Sequence, residues 1–349
     1  MLCYYQKGNS DLQDGCRIVT PIRRNFWELE HELITIEKKL GEGAFGEVSS
    51  GTMRFKKCSK TVQVAVKQAK LEKLGKEQIK DFMAEARTMR KLGHQNVVKF
   101  YGVAVMQEPL YLVMELASAG ALDSYLRKNM ELSVEKKTEM LLQAAWGLEY
   151  IHNKPMLHRD IAARNCLYGD NKVKISDFGL TRNGTIYQMK PKTKAPIKWL
   201  AIESFKTMVN ELNEVIQNSI LQISSQKTDI WAYGILCWEI FNNGADPYPG
   251  MNTSDVAAQV SSGYRMPPYQ NAHPEIQTLM TKCCAENPND RPTMAEIAHL
   301  IQRVTGIPRP NFAAIAKKEA EELLLMNFAT QKTQRRNRTN RKTMVPKGM

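Results

Sequence analysis

Two stretches of the chain hold side chains that could handle a phosphate. His158-Arg159-Asp160-Ile161-Ala162-Ala163-Arg164-Asn165 carries a carboxylate able to take a proton and, five positions later, a carboxamide able to bind a cation. Asp177-Phe178-Gly179 begins twelve residues after Asn165. Between them Lys172-Val173-Lys174-Ile175 alternates polar and apolar residues like a short strand. A loop, a strand and a second acid can bring Asp160, Asn165 and Asp177 to one cleft. Phosphoryl transfer asks for those groups: a carboxylate for the acceptor hydroxyl, and oxygen ligands for magnesium on the phosphates.

Three upstream elements are needed to position a nucleotide against them. Gly41-Glu42-Gly43-Ala44-Phe45-Gly46-Glu47-Val48 is a glycine-rich loop whose backbone N–H groups can come close to phosphate oxygens. Dinucleotide folds use the same glycine spacing, but they need a following helix and an acid about 20 residues on. Here Val48 to Met53 is a poor helix start, and Lys67 stands where the acid would be. Val64-Ala65-Val66-Lys67 reads as an apolar strand ending in a lysine, which either reaches for phosphate or simply extends to water. Lys76 to Leu92 reads as an amphipathic helix with Ile79, Phe82, Met83, Ala86 and Met89 on one face and Gly93 as its stop. Glu85 falls within that apolar stripe. A buried acid needs a partner, and Lys67 is the candidate; a solvated place at the stripe's edge is the alternative.

His-Arg-Asp-x-x-x-x-Asn followed by Asp-Phe-Gly is the protein-kinase signature, and the chain is identified by it as resembling that family. The Ala162-Ala163-Arg164 run and Pro196-Ile197-Lys198-Trp199 resemble the tyrosine-kinase form. Trp27-Glu28-Leu29 before the first strand resembles the non-receptor Fes/Fer group. Leu2 to Gly8 and Arg17 to Pro21 resemble the last strands of a Src-homology phosphotyrosine-binding domain; a plain leader is the alternative.

The resemblance implies an α+β, bilobal protein-kinase fold. A small, mostly antiparallel β lobe with one main helix would cover about residues 33–115, and a larger, mainly α-helical lobe about 118–305. It implies ATP and magnesium, with manganese as an alternative ion, and protein substrates presenting tyrosine. Asp160 would be the base and Arg164 its neighbour at the transferring group. Asn165 and Asp177 would hold the metal, and Lys67, oriented by Glu85, the α- and β-phosphates. Leu40, Gly41, Gly43, Gly46, Val48, Ala65, Met114, Glu115, Ala117 and Leu167 would surround the nucleotide. Pro196, Lys198 and Trp199 would form the substrate platform, and Tyr187, the one tyrosine between Asp177 and Glu203, would be an autophosphorylation site pairing with Arg159 and Arg182. His158, Arg159, Phe178, Glu203, Asp229 and Arg291 would be structural, with Glu203 and Arg291 as a buried pair.

Leu122–Lys128 and Val134–His152 read as helices, as do Trp231–Phe241 and Phe312–Phe328. Residues 1–25 form a leader, and 306–349 a terminal helix and basic tail. Glu203 and Asp229 are 26 positions apart, more than twice the family's usual spacing. The excess, about 208–222, is an insertion that leaves open a catalytically impaired pseudokinase scaffold; a dual-specificity kinase is a further alternative.

The formal net charge is +13, and seven of the Lys and Arg residues lie from Thr330 onward, with no acid among them. Such a run is either solvated or a contact for an acidic membrane surface or nucleic acid. Seven cysteines without paired spacing read as reduced thiols. No apolar run reaches the ~18 residues of a membrane span. The expected location is the cytoplasm, with the inner membrane surface as a peripheral site.

Overall fold

The computed structural model describes residues 25–43, 46–55, 60–70, 72, 74–188, 196–204 and 223–328. The leader to residue 24, the loop residues Ala44 and Phe45, the 208–222 insertion and the basic tail lie outside the described residues.

Five strands make the first layer: β1 (Ile34–Gly43), β2 (Gly46–Arg54), β3 (Thr61–Ala69), β4 (Phe100–Ala104) and β5 (Leu110–Glu115). Their order is β1-β2-β3-β5-β4, with antiparallel pairing throughout. β3 is central, and Val64, Ala65 and Val66 are all buried. Consecutive apolar residues fit a strand covered on both faces.

One face is covered by α1 (Lys76–Met89), which buries Phe82, Glu85, Ala86 and Met89. That is the i, i+3, i+4, i+7 stripe of an amphipathic helix. The helix ends three residues short of the predicted Leu92. Lys91 and Leu92 donate their amides to Thr88 and Met89, so the last turn tightens to i→i−3 bonds. Gly93 is not a left-handed stop; its N–H donates to the Tyr150 hydroxyl at 2.9 Å.

The second layer is helical. α2 (Leu122–Lys128), α3 (Val134–Asn153) and α4 (Gln226–Phe241) form its centre, with α5 (Thr253–Ser261), α6 (Pro274–Cys283) and α7 (Met294–Thr305) around them. α4 starts before the predicted Trp231 because Ser225 caps it: its hydroxyl accepts from Lys227 N, and Thr228 Oγ1 accepts from Ser225 N. Nearly all of α4 from Asp229 on is buried, which makes it the floor on which the loops rest. Short strands carry those loops: β6 (Met156–Leu157), β7 (Cys166–Gly169), β8 (Lys172–Ile175), β9 (Arg182–Asn183), β10 (Ile186–Gln188) and β11 (Ile223–Ser225). They pair as β6–β9, β7–β8 and β10–β11. A five-stranded antiparallel sheet with one helix, joined to a helical region, is the bilobal arrangement expected.

The terminal helix α8 (Phe312–Phe328) crosses between the two layers. Phe312 packs on Trp146 of the helical lobe and on His94, at ring-centroid distances of 5.4 and 4.3 Å; His94 lies in the connection between α1 and β4 and itself stacks on Tyr150 of α3. Three turns later Leu323 packs against the core of the sheet, and Glu319 lies 3.9 Å from Lys99 just before β4. Among the described residues, no helix is long and apolar enough to cross a membrane.

Candidate active site

The register of the sheet places Lys67 between Val48 of β2 and Leu112 of β5. Its ammonium donates to both Glu85 oxygens, at 2.8 and 3.0 Å. Burial alone would lower the Lys67 pKa, but the carboxylates of Glu85 and Asp177 overcome it and the net shift is upward. Burial, reinforced by the charge of Asp177, pushes the Glu85 carboxyl up as well. A methyl group placed on Gly43 would meet Lys67 Cε at 3.6 Å, so the β1–β2 hairpin roofs this lysine. A methyl on Gly179 would lie 3.3 Å from Asp177 Oδ1 and 4.0 Å from Glu85 Oε2, so the two acids converge there.

The loop between β6 and β7 carries the other half. Arg159 and Asp177 both hold positive φ, 72° and 59°, which side chains other than glycine adopt only under constraint. For Arg159 the constraint is Asp229 on α4. Its carboxylate accepts the His158 and Arg159 amides, each at 2.8 Å, and His152 Nε2 at 3.1 Å. Burial opposes that charge, yet the hydrogen bonds hold the Asp229 carboxyl below its ordinary range. The His158 ring accepts from Asp160 N at Nδ1, so Nε2 is the donor to Ser176 O at 3.0 Å. Phe178 packs edge-on against that ring. The histidine thus ties the Asp160 loop to the residue before Asp177.

Asp160 accepts from Arg164 Nη2 at 2.5 Å. Its carboxyl is raised by burial, against the pull of Arg164 and His158. Asn165 donates its amide to Asp160 O at 2.9 Å, and its own carbonyl accepts from Ser176 N and Oγ. The Arg164 guanidinium also lies 4.0 Å over the Trp199 ring. Asp160, Arg164, Asn165 and Trp199 are therefore one linked cluster. Lys198 turns away from it, to Asp246 and to Pro247 O at 2.9 Å, and pins its segment to the large lobe.

Met114 faces Ala65 across the β3–β5 ladder. The Glu115 N–H is committed to Lys99 O at 2.9 Å. Its side chain accepts from Lys99 N at 2.6 Å and from Lys174 of β8 at 2.8 and 2.9 Å, which ties the connection between the layers to the strand before Asp177. Ala117 follows, buried, and Leu167 lies in β7 on the other side. Leu40 on β1 is 52% exposed.

Arg291, 1% exposed, makes a two-pronged pair with Glu203 at 2.7 and 2.8 Å. Tyr187 pairs with Ser224 in the β10–β11 ladder. Its ring lies 4.6 Å from the Arg159 guanidinium and 5.5 Å from that of Arg182.

The same protein-kinase pattern appears along the chain as a whole. Residues 34–301 match the family model described as protein tyrosine and serine/threonine kinase. The chain belongs to the protein tyrosine kinase family. Fer-related kinase 1 of Caenorhabditis elegans is 39% identical to this kinase over 286 residues, 81% of this chain and 68% of that one. Tyrosine-protein kinase SRK3 of Spongilla lacustris is 34% identical over 281 residues, 79% and 78% of the two chains. Tyrosine-protein kinase Fer of Homo sapiens is 38% identical over 290 residues, but this kinase spans only 33% of its length.

One residue of the kinase site is not signalled by its motifs. Glu239 of α4 is buried and accepts from Ala163 N at 3.0 Å and Trp199 Nε1 at 2.9 Å. The argument that singles out Glu85, an acid inside an apolar helical run, applies equally to Glu239 in Ile230 to Phe241.

Proposed function

We propose that this chain transfers the γ-phosphoryl group of ATP to tyrosine hydroxyls of proteins. The observation that carries the reading is the buried Lys67–Glu85 pair, electrostatically coupled to Asp177, with Asp160 and Asn165 on the adjoining loop. The donor set fits a metal nucleotide: one ammonium under a glycine hairpin, one carboxylate and one carboxamide. Bound there, ATP with a divalent cation supplies the phosphoryl group and the charge that neutralises it.

Lys67, oriented by Glu85, holds the α- and β-phosphates. Asp177 and the Asn165 carboxamide oxygen hold the cation, because the Asn165 amide is already spent on Asp160 O. An adenine contact at Glu115 uses its carbonyl, since the N–H is taken, and Ala117 N is the matching donor. Leu40, Val48, Ala65, Met114 and Leu167 bury the ring, and Leu40 loses its exposure in doing so. Asp160, whose carboxyl is raised, accepts the proton of the acceptor hydroxyl, and Arg164 keeps it aimed. Positioning and fixed charge do most of the work in such a site.

Tyr187 is the proposed autophosphorylation site. Burial and the adjacent Arg182 hold the Arg159 guanidinium below its ordinary pKa, so the two cations repel each other beside the ring. A phosphate of about −1.5 to −2 charge would relieve that repulsion and order the segment. Both flanks of the 208–222 insertion are seated, through Glu203–Arg291 and Tyr187–Ser224, which favours an active enzyme over a scaffold.

The test is purified protein with ATP-magnesium, and separately ATP-manganese, on a poly-Glu-Tyr polymer and a serine-containing peptide. Phosphotyrosine with turnover is expected. Phosphoserine alone, or ATP binding without turnover, would overturn the reading.

A further inference from the structure

Glu239 sits at a junction between two parts of the site that are distant in sequence. Its Oε2 takes the backbone N–H of Ala163, three residues after Asp160, and the indole N–H of Trp199 in the segment after Pro196. From Trp199 the path continues through the stacked Arg164 guanidinium to Asp160 Oδ1. Asp160, Arg164, Trp199, Glu239 and Ala163 therefore form a closed circuit. Both groups that reach the Glu239 carboxyl are donors, and neither carries a charge. What the position requires is an acceptor of fixed place, although the residue is only 4% exposed and an apolar side chain would be simpler to bury there.

We infer that Glu239 is a positioning residue for the acceptor tyrosine. It fixes the plane of the Trp199 indole through the N–H, so that Arg164 stays stacked and holds Asp160 toward the incoming hydroxyl. Its second hydrogen bond sets the loop backbone at Ala163 in the same frame. The aromatic platform and the base are thereby aligned by one carboxyl rather than separately. The inference rests on the tyrosine-phosphotransferase reading and adds to it how peptide and base are brought into register. The nucleotide half of the cleft is not part of the circuit, so its binding should be untouched.

Three variants test this. Glu239→Ala removes the acceptor, Glu239→Gln keeps an oxygen in its place, and Trp199→Phe keeps the stacked ring without the N–H. For Glu239→Ala, kcat/KM for the tyrosine polymer is expected to fall at least tenfold, with KM for ATP within twofold of wild type. Glu239→Gln should restore peptide kinetics to within threefold. Trp199→Phe should reproduce the direction of the Glu239→Ala defect, and the double variant Glu239→Ala/Trp199→Phe should be no worse than Glu239→Ala. A readout free of turnover is the Trp199 indole N–H by nitrogen-15 NMR, whose hydrogen exchange should be slow in wild type and in Glu239→Gln and fast in Glu239→Ala. Additive losses, equal damage to ATP and peptide constants, or a Glu239→Gln variant as poor as Glu239→Ala would overturn the inference. So would an indole N–H exchanging equally fast in all forms. If the wild type makes no phosphotyrosine while the indole protection follows the expected order, the enzyme reading fails and the geometric coupling stands.

Discussion

Replacing Lys67 by methionine should damage stability and activity by separable routes. Glu85 is within the apolar face of α1, between Phe82 and Met89, and its side chain is 1% exposed. Removing the ammonium leaves that carboxyl without its cation and next to the like charge of Asp177. Breaking one side of a buried pair costs about 3–5 kcal/mol. At about 2–4 °C per kcal/mol for a domain of this size, the expected fall in Tm is roughly 6–20 °C. In the double variant Lys67→Met/Glu85→Leu both ionic groups are gone, and two apolar side chains of similar volume take their place. Stability should return to within about 1–2 kcal/mol of wild type, because burying an ion pair gains little over burying hydrocarbon. Phosphotransfer should be absent from the single and the double variant alike. The assay is thermal and urea unfolding followed by circular dichroism, on wild type, both single variants and the double, beside a turnover measurement. If the double variant loses the sum of the two single losses, the two groups are not coupled and the reasoning fails.

Asp160→Asn should lower kcat by about 10²–10⁴ while the thermal shift with ATP-magnesium stays within that of wild type; a loss below threefold would remove Asp160 as the base. Wild type is expected to turn over faster after preincubation with ATP and Tyr187→Phe is not; equal kinetics of the two after preincubation would remove the regulatory proposal. Burial pushes the Glu239 carboxyl from 4.5 to about 7, against the hydrogen bonds from Trp199 and Ala163 and the charge of Arg164. Because the folded value is the higher one, the folded state binds the extra proton between those two pH values. Stability from this group is therefore full below pH 4.5 and lost as pH rises through 7, by an amount on the order of 3 kcal/mol. Unfolding curves from pH 5 to 8 should show that slope in wild type and not in Glu239→Gln. Phe312→Ala removes a half-buried ring from Trp146 and His94, and should cost about 1–2 kcal/mol by thermal unfolding.

The convergence of the site was legible because few residue types suit phosphate and metal. Asp160, Asn165, Asp177 and Lys67 stand at readable spacings, and the structure brings Lys67, Glu85 and Asp177 together with Asp160 and Asn165 on the adjoining loop. Glu85 was legible for a different reason, since a buried acid in an apolar stripe demands a partner and Lys67 offers one. Boundaries were harder. Gly93 looked like a helix stop, but the tight final turn of α1 and the Tyr150 hydroxyl had already dealt with the end of the helix. The start of α4 was missed because Ser225 looks like an ordinary polar residue until its hydroxyl is seen on Lys227 N. Glu239 carries the same signal as Glu85, an acid inside an apolar run, but its partners are a backbone amide and an indole, and neither stands out in the sequence as a match for it. Lys198 belonged to a recognised run, yet its ammonium serves the turn at Asp246. For α8, an Ala/Glu/Leu composition foretells a helix but carries no address, and only tertiary packing shows that Leu323 meets the sheet.

That last helix has a mechanical consequence. It is anchored at one end by Phe312 on the large lobe and farther along by Glu319 and Leu323 on the small one. Any swing of the lobes about their connection must drag the rod along or lift one of its ends. On the large lobe the Phe312 ring packs edge-on against Trp146, whereas the Lys99–Glu319 contact at 3.9 Å is a long, partly exposed ion pair, so the upper end yields first. A dye on the exposed Leu325 position would then act as a gauge of cleft opening, read from the outer surface and without touching the nucleotide.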